Sequence, residues 1–330
     1  MNLPNRACPI ILLLALLVAA GCGNDSDSVT ASAETIELPG LSGSTNFDDI
    51  VYSPKLDRVL VPALSAGLFL IDPKTAAVDR IEGFDTADSV SEDNGLVYVA
   101  DRSAQEIAVV DPHSGEVLSR APTQAPVDYV RFIPGTRELW VTQPSASGIE
   151  VMELGRDPRE PPRSVDFIPV EGGPEALTVE SAGSRAYTHS FAGELVVLNV
   201  GSRSEVDRWS MGCDGAHGFP AIDERDRLLL ASCDDDGEVV LFAADSGEEL
   251  GRYSVGGGTT LPGYSRVADR FYVRSDPGDA LEVLEASEEG LTPVGQVNVP
   301  PDGHCLTADE SGHIWTCDTM GGSILRIDDR

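Results

Sequence analysis

The hydrophobic positions of this chain fall into short runs, and no stretch carries a convincing helical period. Leu96-Val-Tyr-Val-Ala, Leu139-Trp-Val-Thr, Leu228-Leu-Leu-Ala-Ser and Phe271-Tyr-Val-Arg are apolar or β-branched and end at turn-forming residues, a strand pattern. Companion runs are Ile107-Ala-Val-Val-Asp-Pro, Ile149-Glu-Val-Met, Leu195-Val-Val-Leu and Val239-Val-Leu-Phe. Turns such as Asp111-Pro-His-Ser-Gly115 and Ala244-Asp-Ser-Gly247 close several of them, before weaker runs such as Glu116-Val-Leu-Ser.

The pattern is periodic. Units start at Asp48, Asp88, Asp128, Glu175, His217 and His304, spaced by 40, 40, 47, 42 and 87 residues. The last interval is two periods, with a further unit beginning near Thr260. Seven units of four short strands predict an all-β fold, a seven-bladed β-propeller with one unit per blade. The final unit ends after Ile324-Leu-Arg-Ile without an outermost strand. Thr35-Ile-Glu-Leu-Pro is expected to supply that strand and close the ring, removing exposed sheet edges. A single propeller domain is therefore expected over 35–330.

The repeats resemble the YVTN-type, YncE-like propeller repeats of exported bacterial proteins. Leu96-Val-Tyr-Val-Ala-Asp with Ile107-Ala-Val-Val-Asp-Pro-His-Ser-Gly is the best copy, and the likeness runs from about 44 to 330. It implies a fold and says little about function, since propellers host unrelated activities.

In such a fold the inner strand of every blade starts at one face, beside the central channel. The unit starts would then form a rim of Asp48, Asp88, Asp128, Glu175, His217 and His304, with the sixth position, Thr260 or Tyr264, unassigned. Asp at a strand entrance also makes turns, but four carboxylates joined by two imidazoles point to a metal site. His189, ending the second strand of the fourth unit, is a third candidate imidazole. His113 is expected on the opposite face, and His313 in a hairpin turn, both merely solvated. Two imidazoles with one or two carboxylates suit Zn²⁺. Carboxylates acting alone would favour Ca²⁺, which wants six to eight oxygens.

Cysteines reinforce this geometry. Cys213 precedes the inner strand of the fifth unit and Cys233 ends its second strand; Cys305 and Cys317 hold the same places in the seventh. Start of one strand and end of the next meet on one edge, so disulfides 213–233 and 305–317 are expected at the rim. Each would add about 2–4 kcal/mol. The spacings do not match a Cys/His zinc motif.

Cys213-x-x-x-His217-Gly218 followed by Cys233-x-Asp235-x-Gly237 resembles the matching segment of AztD-type periplasmic zinc metallochaperones, which bind zinc and pass it to the solute-binding protein of an importer. The resemblance implies that His217 is a zinc ligand beside the 213–233 disulfide. A Glu commonly follows the His-Gly pair there, whereas Phe219 stands here.

The N-terminus alters the cellular setting. Arg6, the apolar run Ile10 to Ala20 and Val18-Ala-Ala-Gly-Cys22 resemble a lipoprotein leader with its lipobox. The expectation is a signal peptide over 1–21, lipidation at Cys22, and a polar disordered tether over 22–34. Gly23 in place of Asp favours the outer membrane facing the periplasm, or the cell surface. The chain has 55 acidic and 23 basic residues, a formal charge of -32. That excludes nucleic acid as a partner and leaves the lipid anchor as the membrane contact.

Together these readings predict a monomeric, lipid-anchored envelope propeller binding a divalent metal, zinc, at its central funnel in a metallochaperone role. The alternative is a non-catalytic interaction scaffold in the envelope. Third is a calcium-dependent, lactonase-like hydrolase, although no nucleophile elbow or catalytic triad order is present. A quinone-dependent dehydrogenase is disfavoured because Trp140, Trp209 and Trp315 do not recur once per blade.

Overall fold

Every second and third strand in the ring is apolar on both sides because both sides are covered. In blade 2, Leu96–Asp101 pairs antiparallel with Glu106–Asp111. Val97, Val99, Ala108 and Val110 pack towards Leu60, Leu68 and Leu70 of blade 1. Tyr98, Ala100, Ile107 and Val109 pack towards Val130, Leu139 and Val141 of blade 3. Strand alternation sends successive side chains to opposite faces, so each blade is glued to both neighbours. Seven such clusters recur, one for each pair of adjacent blades.

This computed structural model describes residues 32–234, 237–256 and 258–328. They form seven four-stranded antiparallel sheets, with no α-helix and one 3-10 turn, Pro144–Ala146, among the described residues. The inner strands are Val51–Ser53, Ala87–Asp93, Val130–Ile133, Glu175–Val179, Ala221–Asp223, Thr259–Ser265 and Leu306–Ala308. Side chains stitch them together. Ser89 Oγ donates to Asp49, Val130 N–H donates to Ser89 Oγ at 3.0 Å, and Tyr52 N–H donates to Thr307 Oγ1 at 3.3 Å.

The seventh sheet takes its outer strand from the other end of the chain. Ser32–Glu37 pairs antiparallel with Ser323–Asp328, Ser32 opposite Asp328 and Glu37 opposite Ser323. This strand begins three residues before the expected Thr35, so the end of the stretch assigned as a tether over 22–34 is ordered sheet. Pairing with β-strand 323–328 and the Glu34–Arg326 ion pair account for it. The expected leader over 1–21, Cys22 and the tether up to residue 31 lie outside the described residues.

Ile36 is 4% exposed and packs with Trp315 and Ile324 of blade 7 and Val59 and Phe69 of blade 1. Ile36→Ala should therefore cost about 2–4 kcal/mol, as large-to-small core changes do. Urea unfolding reads the loss, and an unchanged midpoint would show that this strand does not hold the two blades.

Candidate functional site

The strand starts do meet at one face. His217 and His304, from blades 5 and 7, lie with ring centroids 5.2 Å apart in an edge-to-face arrangement. Glu175 Oε1 sits 3.5 Å from His217 Nε2, and Asp48 Oδ1 sits 4.0 Å from His304 Nε2. Tyr129 donates its hydroxyl to the same Asp48 oxygen at 2.8 Å. Asp48, Asp88 and Asp128 gather on the other side of the mouth around the Arg102 guanidinium. Six of the seven expected site residues are thus brought to one rim.

The seventh is not. His189 is fully buried beneath the rim, with Nδ1–H donating to Gly218 O at 2.8 Å and Nε2 accepting from Ser232 N–H at 3.4 Å. Both nitrogens are committed to backbone, so it offers a metal nothing. Burial pushes its pKa down to about 4 and keeps the ring neutral. Its work is to hold the loop that carries His217. Gly218 makes that loop feasible, since at φ +75 an added Cβ would lie 2.8 Å from Leu261 and 2.9 Å from Thr260 O.

The sixth blade contributes from an unexpected place. Thr260 is buried and turns its hydroxyl sideways to Glu238 O at 3.1 Å, while Tyr264 binds Asp269 at the far end of the strand. The rim residue is instead Asp276, at the end of Arg270–Asp276, whose Oδ2 is 3.7 Å from His304 Nδ1. Arg102 likewise arrives from a strand end. Asp101, fully buried, accepts from Thr86 N–H at 2.8 Å and Asp85 N–H at 2.7 Å, fixing the turn that points Arg102 inward. The signal that would have found both is the residue at or just after the end of each second strand, which returns to the same face as the inner-strand starts.

Electrostatics follow from crowding. Burial raises Asp48, and raises Asp88 to about 7, with neighbouring carboxylates adding to the effect. Glu175 is held well above the ordinary carboxylate range by burial and by Asp128 and Asp48, and it keeps a proton in its hydrogen bond with Asp128. Burial and then His304 lower His217, leaving it neutral and able to ligate. For His304, burial opposes the cation, but Asp276 and Asp48 outweigh it and raise its pKa.

Both expected disulfides are present, Cys213–Cys233 and Cys305–Cys317, with Cα atoms 5.9 and 5.8 Å apart. One brackets the His217 loop and the other adjoins His304. Buried Arg274 supports the same loop, donating to Pro300 O and, at 2.6 Å, to Thr316 Oγ1, with Gly303 laid against its guanidinium. Below the rim the channel is stopped. Arg131 makes a two-pronged pair with Asp49 at 2.6 and 2.7 Å, lies 4.7 Å from the Phe219 ring, and Phe219 meets Tyr129 edge-on. The mouth above is an open cavity of about 390 Å³ lined by Asp48, Asp88, Arg102, Asp276 and His304.

The remaining histidines divide. His113 is exposed in its turn, as expected. His313, expected to be merely solvated, is half-buried and paired with Asp309 Oδ2 at 2.9 Å, which also accepts from Trp315 Nε1 at 3.0 Å. A separate trio, Asp223, Asp226 and Asp269, brings its oxygens within 4.8 Å of one another. Arg225 sits among them, so the trio is an ion-pair cluster at the far end of the blades.

No family model matches the chain, and no curated protein does. Solved structures do. A chain of the mitotic checkpoint complex is 14% identical with a TM-score of 0.75, covering 98% of both chains. U3-55K is 12% identical with a TM-score of 0.72, covering 89% of this chain and 98% of that one. The β-propeller domain of Cps50 (Swd1) from Myceliophteria thermophila is 14% identical with a TM-score of 0.71, covering 90% and 99%. These likenesses establish the class, a seven-bladed β-propeller, and nothing finer.

Because Glu175 is raised above its ordinary 4.5, the folded protein holds a proton there that the unfolded chain has released. Stability contributed by that group is therefore complete below about pH 4.5 and is lost as pH rises towards the folded value. Glu175→Gln should gain melting temperature relative to the parent as pH rises from 5 to 8, by about 3 °C or more at the upper end. Calorimetry at several pH values checks this, and a pH-independent difference would refute the buried proton.

Proposed function

We propose that this chain is an exported, lipid-anchored propeller that binds one divalent cation, zinc, in its funnel. The observation carrying the reading is Glu175 Oε1, a buried carboxylate oxygen that accepts no hydrogen bond and lies 3.5 Å from His217 Nε2, beside the His217–His304 pair. Leaving such an oxygen unpaired is costly unless a cation is to meet it. His217, His304, Glu175 and Asp48 would supply two nitrogens and two oxygens, a donor set that suits Zn²⁺. Rigid loops on both sides, each tied by a disulfide, favour a site held ready.

A metallochaperone role is compatible with a stopped channel, since cargo would enter and leave by the one open mouth and a recipient such as a solute-binding protein would dock there. The coarser reading, an interaction propeller in the cell envelope, rests on the ring itself, a platform used for docking partners. A calcium-dependent hydrolase is the weakest, because Arg102 stands among the carboxylates that calcium would need.

Zinc ligation must expel the Glu175 proton, so affinity should increase with pH between 6 and 8. Isothermal titration of the purified protein with zinc chloride should give one site, weakened about 100-fold (~2.7 kcal/mol) by His217→Ala or His304→Ala. Unaltered binding in the double variant would remove the funnel from consideration.

A further inference from the structure

We propose that the cavity between blades 2 and 3, at the face opposite the mouth, binds a small planar aromatic carboxylic acid. The site is independent of the funnel and of any cation bound there.

Blade 3 departs from the repeat where this cavity forms. Its unit runs 47 residues to the next start, against 40 for each of the two before it. Much of the excess lies between the third strand, Gly148–Glu153, and the fourth, Arg163–Pro169, in a linker over 154–162. The same linker covers 112–115 in blade 2 and 200–203 in blade 4. The longer one reaches across to the outer strand of blade 2. There Arg159 pairs with Glu116 at 3.0 and 3.2 Å, and Ser119 Oγ donates to Pro158 O at 3.0 Å. Between the linker and the two blades is an open cavity of about 310 Å³.

Its walls are chemically divided. Tyr98 and Phe132 make a flat apolar side, their rings 12° from parallel with centroids 6.3 Å apart, extended by Leu96 and Leu154. Arg137 and Arg156 make the cationic side. The linker's other arginines, Arg159 and Arg163, are paired with Glu116 and Glu153. Arg137 and Arg156 have no carboxylate partner among the described residues, although the chain carries a formal charge of -32. Arg137 spends Nη2 on Leu154 O and Gly155 O, which leaves the rest of its fork for a ligand. Tyr98 points to that ligand independently. It is 3% exposed and lines the cavity, yet its hydroxyl has no hydrogen-bond partner among the described residues. A buried phenol normally has one. A planar ring would lie along the aromatic wall while its carboxylate accepts from a guanidinium, whose geometry it matches, and from the Tyr98 hydroxyl. Asp93, held by Lys55 and Asn94, and exposed Glu160 also border the space. Those two acids disfavour a doubly charged head group such as phosphate.

The test is calorimetric titration of the purified protein, kept in EDTA, with naphthalene-2-carboxylate. One site is expected, and the neutral naphthalene-2-carboxamide should bind it about tenfold more weakly. Arg156→Ala should weaken the carboxylate about tenfold, and Tyr98→Phe, which removes one hydroxyl and keeps the ring, about threefold. Should Tyr98→Phe fail to fold, Arg156→Ala decides, because Arg156 is exposed on the linker and its loss leaves the core intact. No heat with the parent protein overturns the proposal. So does equal affinity for the acid and its amide, or a carboxylate affinity indifferent to Arg156→Ala.

Discussion

The structure is organised around a shortage of positive charge at the channel mouth. Asp48, Asp88, Asp128, Glu175 and Asp276 are drawn from five blades to one rim, and Arg102 is the guanidinium among them. Ionised carboxylates this close and this buried repel one another strongly. The protein relieves the conflict in three ways. Glu175 keeps its proton, Arg102 neutralises part of the remainder, and His304 takes a share through Asp276. Acids are held together here because each is anchored at the start or end of a strand that the blade core fixes.

That core was plainly written in the chain. Runs such as Leu96-Val-Tyr-Val-Ala are continuous and apolar because each blade is sandwiched between two others, so both faces of its middle strands are buried. Repetition at about forty residues then exposed the blade count, and position within the repeat exposed the rim. Asp48, Asp88, Asp128, Glu175, His217 and His304 could be read from register alone. So could the two disulfides, since antiparallel neighbours bring the start of one strand beside the end of the next.

What register does not encode is the direction of a side chain at a strand end. His189 holds a rim-level position, yet its ring turns under the His217 loop and binds Gly218 and Ser232. Thr260 stands at the expected sixth start but faces blade 5. Arg102 and Asp276 stand at the ends of second strands, a place that reading only the strand starts passes over, and Tyr129 is hidden for another reason. Its role depends on a contact with Asp48, 81 residues away, which no local pattern records. His313 was misjudged because its turn folds over buried Asp309, whose other partner is Trp315.

The channel floor explains why the mouth can sustain such crowding. Arg131 satisfies Asp49 with two hydrogen bonds and stacks on Phe219, which in turn rests against Tyr129. Phe219 directly follows the His217-Gly218 pair, so one short loop carries both a rim imidazole and the plug beneath it. The acids above face this packed layer on one side and the open mouth on the other. The charge left at the rim therefore faces whatever approaches from the mouth, set apart from the seven apolar interfaces behind it.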